Sequence, residues 1–339
     1  MRAVVVPHHG GPEVLELRDL PEPRPSAGEI LVAVGAVGVN YHDSLARRGA
    51  IETHPPFTVG VEGAGTIVEV GDNVSDLVVG QRVAWPFTEG SYAELAVIPA
   101  ASALPLPDSV TFESAAALTA QGLTAHYLTF DTYPVQPGDD VLVHAAAGGV
   151  GNLIVQMAKH RGARVLATTS NPDKGDAARS AGADDVIGYD DFATRVRELT
   201  GSKGVEVIYD GVGASTFEQG LEAVARRGYV VLYGAASGPV PPFDLRRLSR
   251  YGSPYVSRPS LVDYIENRGA LLARGAALFD LAARGAIAVS VTGRFSLDES
   301  SAAQRLLEDR SRSGKIVIFP AGVPIPSGNG TTSVPPRLP

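Results

Sequence analysis

Residues 141–174 read VLVHAAAGGVGNLIVQMAKHRGARVLATTSNPDK, and this stretch decides the fold that the sequence predicts. Residues 141–143 are a short apolar run, as expected for a parallel strand covered on both faces. Over 152–161 the apolar residues recur at helical spacing, and Gly162 follows where a helix would end. Residues 164–168 form a second apolar run. The stretch therefore predicts a strand, a glycine-rich turn, a helix and another strand.

The turn before this helix carries a glycine pattern typical of dinucleotide binding. Ala146, Gly148 and Gly151 occupy the three glycine positions of the G-x-G-x-x-G fingerprint, with alanine in the first. Backbone without a Cβ can approach a pyrophosphate closely, and the amides at a helix N-terminus favour an anion. We therefore predict that Gly148, Gly149 and Val150 contact a dinucleotide. The alternative is a tight turn that binds no ligand.

The end of the second strand decides between NAD(H) and NADP(H). In NAD-binding proteins an acidic residue at this point holds the ribose 2′-hydroxyl. Here the strand ends in Thr168, Thr169 and Ser170, and Lys174 follows in the loop. Neutral hydroxyls beside a cation suit a 2′-phosphate, so we predict NADP(H), bound by Thr169, Ser170 and Lys174. Asp173 complicates this choice, because a carboxylate here either caps the next helix or pairs with Lys174.

The rest of the chain continues the alternation of strands and helices. After Lys174, three more strands alternate with helices up to residue 234, which predicts a Rossmann-type doubly wound parallel sheet. Residues 1–120 instead show short apolar runs between Gly, Pro and Asp clusters, typical of a β-rich domain. Two helices, over 111–117 and 119–128, are predicted to precede the glycine turn. The strands predicted in the first part cover residues 3–6, 30–34, 65–70, 82–85 and 92–98.

Composition limits the function classes that the chain fits. The 339 residues, 44% hydrophobic and 19% charged, suffice for two globular domains. A net charge of −8 argues against a nucleic-acid-binding module, for which a basic surface is needed. The chain has no cysteine, which excludes disulfides and fits a reducing compartment. No signal-peptide core or membrane-length apolar run is present, so we expect a cytoplasmic protein without membrane or nucleic-acid partners.

Several segments resemble the catalytic domain of medium-chain dehydrogenases/reductases. They are GGPEVLEL at 10–17, GVNYHDSLARRG at 38–49, VGVEGAGTIVEVGDNVSDLVVGQRV at 59–83 and SYAELAVIP at 91–99. The glycine-turn segment HAAAGGVGNLIVQMAK and the later segment YVSRPSLVDYI resemble the zinc-independent quinone oxidoreductase, or zeta-crystallin-like, family of that superfamily. The resemblance extends over about residues 1–320.

This resemblance implies a domain organisation. A β-rich GroES-like catalytic domain is expected at 1–121 and 266–320, with an NADP-binding Rossmann domain inserted at 122–265. Residues 321–339, rich in Pro, Gly, Ser and Thr, are expected to form a flexible tail. Relatives pair through the edge of the nucleotide-domain sheet. The resemblance therefore implies a homodimer, formed through the strand near Tyr255.

No metal site is expected. Zinc-dependent relatives hold their catalytic zinc with cysteine and histidine, and the histidine position corresponds here to Val61. The cysteine-rich structural-zinc lobe also has no counterpart around 88–100. Without a Lewis acid, alcohol oxidation lacks its usual means of polarising oxygen. Reduction of an electron-poor acceptor by a well-positioned hydride donor remains feasible.

The resemblance also implies cofactor contacts at positions that match the family's motifs. Thr124 and 255–258 are expected at the nicotinamide end, and Tyr189 near the adenine or its ribose. As a set, these contacts and the loop at 233–238 are expected to follow strands on the same side of the predicted sheet. No catalytic acid or base is identified, because the tyrosine that some relatives carry is Leu45 here; Tyr41 is the one candidate, with packing at a domain seam as its alternative. Structural roles are also open for the other positions, such as a sheet-edge role for Tyr189 and a capping role for Asp210. The predicted contacts are Asn40, Tyr41, Thr124, Gly148, Gly149, Val150, Thr169, Ser170, Lys174, Tyr189, Gly213, Tyr233, Gly234, Ala235, Tyr255, Val256 and Arg258.

Taken together, the sequence predicts an NADPH-dependent, zinc-independent reductase that transfers hydride to a quinone or to an α,β-unsaturated carbonyl. Two alternatives stay open. One is an enoyl-thioester or polyketide-tailoring enoyl reductase, which would use the same fold and cofactor. The other is an NADPH-binding redox sensor without turnover.

Overall fold

The structure is a computed structural model that describes residues 1–309, 313–320, 322–323 and 330–332. The chain divides into two compact units, of which the first comprises Met1–Gln121 and the chain from Ile265 onward, and the second is Gly122–Tyr264. Each unit contains its own cluster of buried hydrophobic residues. No helix within the described residues is long and apolar enough to cross a membrane.

Strands make up the sheets of both units. They are β1 (Arg2–Val6), β2 (Glu16–Asp19), β3 (Glu29–Gly38), β4 (Phe57–Thr58), β5 (Gly63–Val70), β6 (Arg82–Trp85), β7 (Leu95–Pro99), β8 (Leu104–Pro105), β9 (Asp140–Val143), β10 (Arg164–Thr168), β11 (Asp185–Ile187), β12 (Val205–Asp210), β13 (Val224–Leu232), β14 (Tyr255–Ser257), β15 (Val289–Ser296), β16 (Lys315–Phe319) and β17 (Gly330–Thr332).

The α-helices of both units follow in chain order. They are α1 (Tyr41–Arg48), α2 (Phe112–Tyr127), α3 (Gly149–His160), α4 (Pro172–Ser180), α5 (Phe192–Leu199), α6 (Phe217–Ala223), α7 (Leu261–Tyr264), α8 (Arg268–Ala283) and α9 (Ser300–Glu308).

The first unit is built on two sheets. A small antiparallel sheet has the order β2-β1-β4, and a larger one has the order β17-β15-β16-β3-β5-β6-β8, with β7 also paired to β3. Alternate residues of β3, among them Ile30 and Val32, pack with Ile67 and Trp85 in the core. Their neighbour Leu31 is also buried, so β3 is covered along most of its length, as expected for a strand in the middle of a sheet. The late strand β16 pairs antiparallel with β3, so the end of the chain completes a sheet begun near its start.

The predicted tail, 321–339, lies mostly outside the described residues. Within it, β17 pairs antiparallel with β15, and Thr332 lies opposite Val289. This strand was not predicted, because the stretch around it, GNGTTS, has no alternation of apolar and polar residues.

The second unit is a six-stranded parallel sheet with the order β11-β10-β9-β12-β13-β14. The apolar runs of β9, β10, β12 and β13 are buried, and Leu142, Leu166, Ile208 and Val230 share one core cluster. Parallel strands covered on both faces read as such near-continuous apolar runs. The Rossmann-type sheet and the GroES-like β-rich unit confirm the predicted fold class.

Three details differ from the sequence-based prediction. The two helices predicted over 111–117 and 119–128 are one helix, α2, because its alanine-rich sequence has no breaker at Leu118. β13 begins five residues before the predicted Tyr229. The helix α1 was not predicted; Asn40 and Asp43 begin it with a capping box, and Gly49 ends it in the left-handed conformation.

Candidate functional site

The second unit has a switch point where a ligand is expected to bind. From the central pair β9 and β12, the chain order runs outward to β10 and β11 on one side and to β13 and β14 on the other. In open α/β sheets, ligands bind outside the carboxyl ends of the strands at such a reversal. The loops after β9 and β12 therefore mark the candidate site.

The glycine turn after β9 presents the N-terminus of α3 at this edge. Gly148 is the N-cap of α3, and Gly149 and Val150 are its first two residues. A Cβ at Gly151 would overlap the carbonyl oxygen of Ala145, so only glycine lets the helix pack this closely on the turn. Since the first amides of a helix lack intrahelical acceptors, they are available to an anion.

A hydroxyl and an ammonium lie together after β10. The Lys174 Nζ donates a hydrogen bond to the Ser170 Oγ at 3.2 Å, and Thr169 directly precedes Ser170. The N-cap of α4 is Asn171, whose side chain accepts from the Lys174 backbone N–H at 2.9 Å. The alternative that Asp173 caps this helix is therefore wrong. A cation beside a neutral hydroxyl is a donor set that fits a 2′-phosphate.

Tyr189 closes the glycine turn from the side. Its hydroxyl accepts a hydrogen bond from the Ala145 backbone N–H at 2.9 Å, and its ring lies 6.0 Å from that of His144. His144 is buried and bonded to the Thr168 hydroxyl at 2.8 Å; burial lowers its pKa to about 4, so the imidazole is neutral. From its motif position, Tyr189 was expected near the adenine or its ribose. The structure places its hydroxyl on the turn itself.

The loops after β12 and β13 are held together by Asp210. One carboxylate oxygen of Asp210 accepts from the backbone N–H groups of Val212 at 2.7 Å and Gly213 at 3.0 Å, and the other accepts from the Thr216 hydroxyl at 2.8 Å. Its predicted capping alternative is confirmed. Tyr233 also donates its backbone N–H to the Asp210 carbonyl at 2.9 Å.

Glycine lets these two loops meet. Gly213 has φ +91°, and a Cβ on it would lie 3.2 Å from the Ala235 Cα. A Cβ on Gly234 would overlap the backbone of Gly211. The structure thus brings Gly213, Gly234 and Ala235 together. They lie in the loops after β12 and β13, and β12 pairs with β9, the strand that precedes the glycine turn.

Three predicted contacts do not follow a strand. Tyr255 and Val256 lie within the edge strand β14, level with Tyr229 and Val230, before the carboxyl edge of the sheet. The Tyr255 ring stacks on the Tyr229 ring at 4.8 Å. Thr124 lies within α2 and is half-buried. The expectation that these positions all follow strands on one side of the sheet is therefore wrong for these three.

Arg258 is the last of the predicted contacts in this unit. It directly follows β14, and its Nη1 donates to the Pro259 carbonyl at 3.2 Å. Arg258 therefore follows a strand, as expected, whereas Tyr255 and Val256 do not.

In the first unit, Asn40 is fixed by a buried ion pair. The Lys315 ammonium donates to the Glu62 carboxylate at 2.7 Å and to the Asn40 Oδ1 at 2.9 Å. Asn40 in turn donates its Nδ2 to Glu62 at 2.8 Å, and the other Glu62 oxygen accepts from the Ala120 backbone N–H at 2.6 Å. The Lys315 and Glu62 side chains are 1% and 0% exposed. Tyr41, the next residue, presents a ring that is half exposed.

This ion pair was not predicted from the sequence. A glutamate within the apolar segment VGVEGAG and a lysine heading the apolar strand KIVIF were its only signals. Each is a charged residue at a position where a buried apolar residue is expected. A buried charge requires a partner, but the local sequence does not identify that partner.

Asp43 lies under Asn40, wholly buried. Its Oδ2 accepts from the Asn40 backbone N–H at 2.9 Å and from the Tyr92 hydroxyl at 3.1 Å. Burial raises the pKa of this carboxyl to about 7, and these hydrogen bonds oppose that rise. Asp43 therefore positions the turn that carries Asn40 and Tyr41.

The zinc-ligand position of metal-dependent relatives carries no ligand here. Val61 is 4% exposed and belongs to the core, and Glu62 beside it is held by Lys315. Among the described residues, no group of three or more His, Cys, Asp or Glu side chains could hold a metal ion.

Two family models match this chain. The one described as alcohol dehydrogenase GroES-like domain matches residues 26–108, and the one described as zinc-binding dehydrogenase matches residues 149–266.

Individual proteins are similar over nearly the whole chain. A quinone oxidoreductase of Pseudomonas aeruginosa is 42% identical, with 92% of this chain and 97% of that protein covered. A 2-haloacrylate reductase of a Burkholderia species is 36% identical, with 94% and 98% covered. The crystal structure of Escherichia coli quinone oxidoreductase complexed with NADPH superposes with a TM-score of 0.90 at 38% identity, covering 94% of this chain and 100% of that one.

Proposed function

The chain belongs to the zinc-independent quinone oxidoreductase family of the medium-chain dehydrogenase/reductase superfamily, and we propose from this that its acceptor is a quinone or an α,β-unsaturated carbonyl. It is an oxidoreductase that binds NADP(H) and acts as an NADPH-dependent reductase. The proposal concerns the acceptor and the residues that bind each partner.

One observation supports the cofactor half of the proposal most directly. The Lys174 ammonium and the Ser170 hydroxyl lie 3.2 Å apart after β10, at the point where cofactor choice is made. We propose that they bind the 2′-phosphate, while the N-terminus of α3 at Gly148, Gly149 and Val150 binds the pyrophosphate. Gly213, Gly234 and Ala235 are proposed to border the cofactor from the neighbouring loops.

The acceptor half rests on what the relatives have in common. Quinones and 2-haloacrylates are both electron-poor alkenes conjugated to a carbonyl or carboxyl group, and the chain is similar throughout to proteins named for each. When bound, NADPH supplies the hydride that such an alkene accepts. The protein's own part is to orient the acceptor and to stabilise the charge that develops on its oxygen.

Tyr41 is the proposed hydrogen-bond donor to that oxygen. Its ring is 49% exposed at the first residue of α1, while Asn40 before it is fixed by Lys315 and Glu62. A donor on a helix end that is anchored by buried contacts keeps a defined position, which a developing oxyanion requires. Thr124, Tyr255 and Arg258 stay proposals for the nicotinamide end.

The test is a titration with NADPH and NADH, followed by NADPH-oxidation assays with a quinone, a 2-haloacrylate, an enone and an enoyl thioester. We expect tighter binding of NADPH and turnover of the quinone or of the unsaturated carbonyl compounds. Turnover of the enoyl thioester alone would favour the enoyl reductase alternative. Tight NADPH binding without turnover on any acceptor would favour the redox-sensor alternative.

A further inference from the structure

Two aromatic rings of the first unit are exposed next to one imidazole. Phe87 is 46% exposed, although phenylalanine is usually buried, and Tyr41 is half exposed. The His42 ring meets the Phe87 ring edge-on, with the ring centroids 6.4 Å apart. Tyr41 and His42 are the first two residues of α1, so their side chains project about 100° apart. Phe87 and Tyr41 are therefore both neighbours of His42.

Phe87 has a backbone conformation that bulky residues rarely adopt. Its φ is +50°, in the left-handed region, where a phenylalanine is strained. On one side of it, the Thr88 backbone N–H donates to the Val61 carbonyl at 3.1 Å. On the other side, the Trp85 indole N–H donates to the Ser91 hydroxyl at 3.0 Å. Strained residues persist only where their surroundings impose the conformation, and they are concentrated at ligand and active sites. Phe87 is thus a candidate for contact with a ligand.

The backbone that carries Tyr41 is fixed as well. Asn40 and Asp43 form the capping box of α1, and the Tyr92 hydroxyl donates to the Asp43 carboxylate at 3.1 Å. Both exposed rings therefore stand on backbone whose position is set before a ligand arrives. A surface of this kind loses little conformational entropy on binding.

His42 adds no charge to this aromatic surface at neutral pH. Burial lowers the pKa of His42, and the Glu89 carboxylate opposes this shift. The buried Nδ1 of His42 has no hydrogen-bond partner among the described residues, so a proton there would bury an unpaired N–H. The surface formed by Phe87, His42 and Tyr41 therefore suits an uncharged, planar ring.

We propose that Phe87 determines specificity in the acceptor site: its ring stacks on the planar ring of the acceptor, while the Tyr41 hydroxyl donates to the acceptor's oxygen. This role rests on the proposed function, because it concerns the acceptor of the same site. An electron-poor quinone ring is attracted to the electron-rich face of a phenyl ring. An acyclic enone has no ring to place there, so Phe87 favours cyclic over acyclic acceptors.

Steady-state assays of Phe87→Ala with two acceptors test this role. The acceptors are 1,4-naphthoquinone, which is planar and uncharged, and 3-buten-2-one, an acyclic enone, each with saturating NADPH. The variant should lose about threefold to tenfold in kcat/KM for the quinone, the range for one aromatic pair, and less than about twofold for the enone. The loss should lie mostly in KM, because stacking stabilises the ground state and the transition state alike.

Two further variants separate ring stacking from other effects. Phe87→Tyr keeps a ring at this position and should restore kcat/KM for the quinone. Val78→Ala shortens a 63% exposed apolar side chain elsewhere in the same unit and should change kcat/KM for neither acceptor. Titration with NADPH should give one affinity for all three variants and the unsubstituted chain, which shows that the fold is intact.

Equal losses for both acceptors, or no loss for the quinone, would overturn this role of Phe87 and leave the proposed reductase in place. Turnover of the enone without turnover of the quinone by the unsubstituted chain would do the same. Turnover of neither acceptor by the unsubstituted chain would instead contradict the proposed function, and the role of Phe87 with it.

Discussion

Lys174 is the residue on which we propose that cofactor choice depends. Its ammonium lies beside the Ser170 hydroxyl, and the proposed 2′-phosphate contact is one that NADPH can make and NADH cannot. We expect Lys174→Ala to weaken NADPH binding by about 1.5–3 kcal/mol, the range for a hydrogen bond to a charged group, and to leave NADH nearly unchanged. Titrations of both cofactors measure the difference.

The matched control for this variant is Arg179→Ala. Arg179 is a cation on the same helix, α4, but it lies in the last turn and pairs with Asp176. The Arg179→Ala variant should bind NADPH and NADH as tightly as the unsubstituted chain does. If Lys174→Ala weakened NADPH and NADH equally, the proposed 2′-phosphate contact would be refuted.

Asp43 gives the folded protein a pH dependence of known sign. Its pKa is raised to about 7 by burial, whereas an unfolded aspartate has a pKa of about 3.9. The folded chain therefore binds more protons between these values, and its stability falls as the pH rises through that range. Asp43→Asn removes this titration, so from pH 5 to pH 7 the unsubstituted chain should lose roughly 2–3 kcal/mol relative to the variant.

Urea unfolding at pH 5, 6 and 7 measures this difference. The control Asp19→Asn changes an exposed aspartate of β2 and should give a curve parallel to that of the unsubstituted chain. If the Asp43→Asn curve is parallel as well, the carboxyl does not titrate in this range.

At the scale of elements, Gly151 decides how α3 meets the glycine turn. A Cβ at this position would overlap a backbone carbonyl, which cannot move aside as a flexible side chain would. Gly151→Ala should therefore shift the N-terminus of α3 and weaken NADPH binding at least about tenfold, because the helix amides then point away from the pyrophosphate.

Gly220→Ala provides the comparison. Gly220 lies within α6 of the same unit, and its Cβ would meet the nearest side chain, Ile208, at an ordinary 3.7 Å. Alanine there should stabilise the helix by up to about 1 kcal/mol without affecting the cofactor. Unchanged NADPH binding in Gly151→Ala would show that the cofactor still binds when α3 lies farther from the turn.

Periodicity predicted the elements better than it predicted their contacts. The apolar runs of β9, β10 and β12 and the helical spacing in α3 need only local sequence, and the structure confirms them. Tyr255 was assigned to the carboxyl side of the sheet, but its register against Tyr229 places it earlier along the strand. Register depends on a partner strand distant in sequence, which a local pattern does not contain.

The buried ion pair of Glu62 and Lys315 could not be predicted from the sequence for the same reason. Nothing near Glu62 indicates that its partner lies 253 positions later. The Asp210 carboxylate, by contrast, accepts hydrogen bonds from three residues within six positions, and its capping role was among the alternatives drawn from the sequence.

At the scale of the whole molecule, we propose a homodimer formed through β14. This strand is the edge of the sheet in the second unit, and Tyr255 on it is 51% exposed. Light scattering should give twice the mass of the chain, and Tyr255→Asp should lower it, because a charge on an edge strand opposes pairing. Leu245→Asp, at a 70% exposed position outside β14, should keep the dimer. A monomeric mass for the unsubstituted chain would contradict the proposal.

The ion pair of Glu62 and Lys315 has a consequence for how the protein is made. A ribosome adding about 5–20 residues per second needs roughly 13–50 seconds to pass from the glutamate to the lysine, 253 positions apart. In that interval the second unit, Gly122–Tyr264, emerges complete, while β3 still lacks β16. Glu62 must stay hydrated until its lysine arrives, because an unpaired carboxylate resists burial. The first unit, whose translation begins first, is therefore the last to complete its sheet.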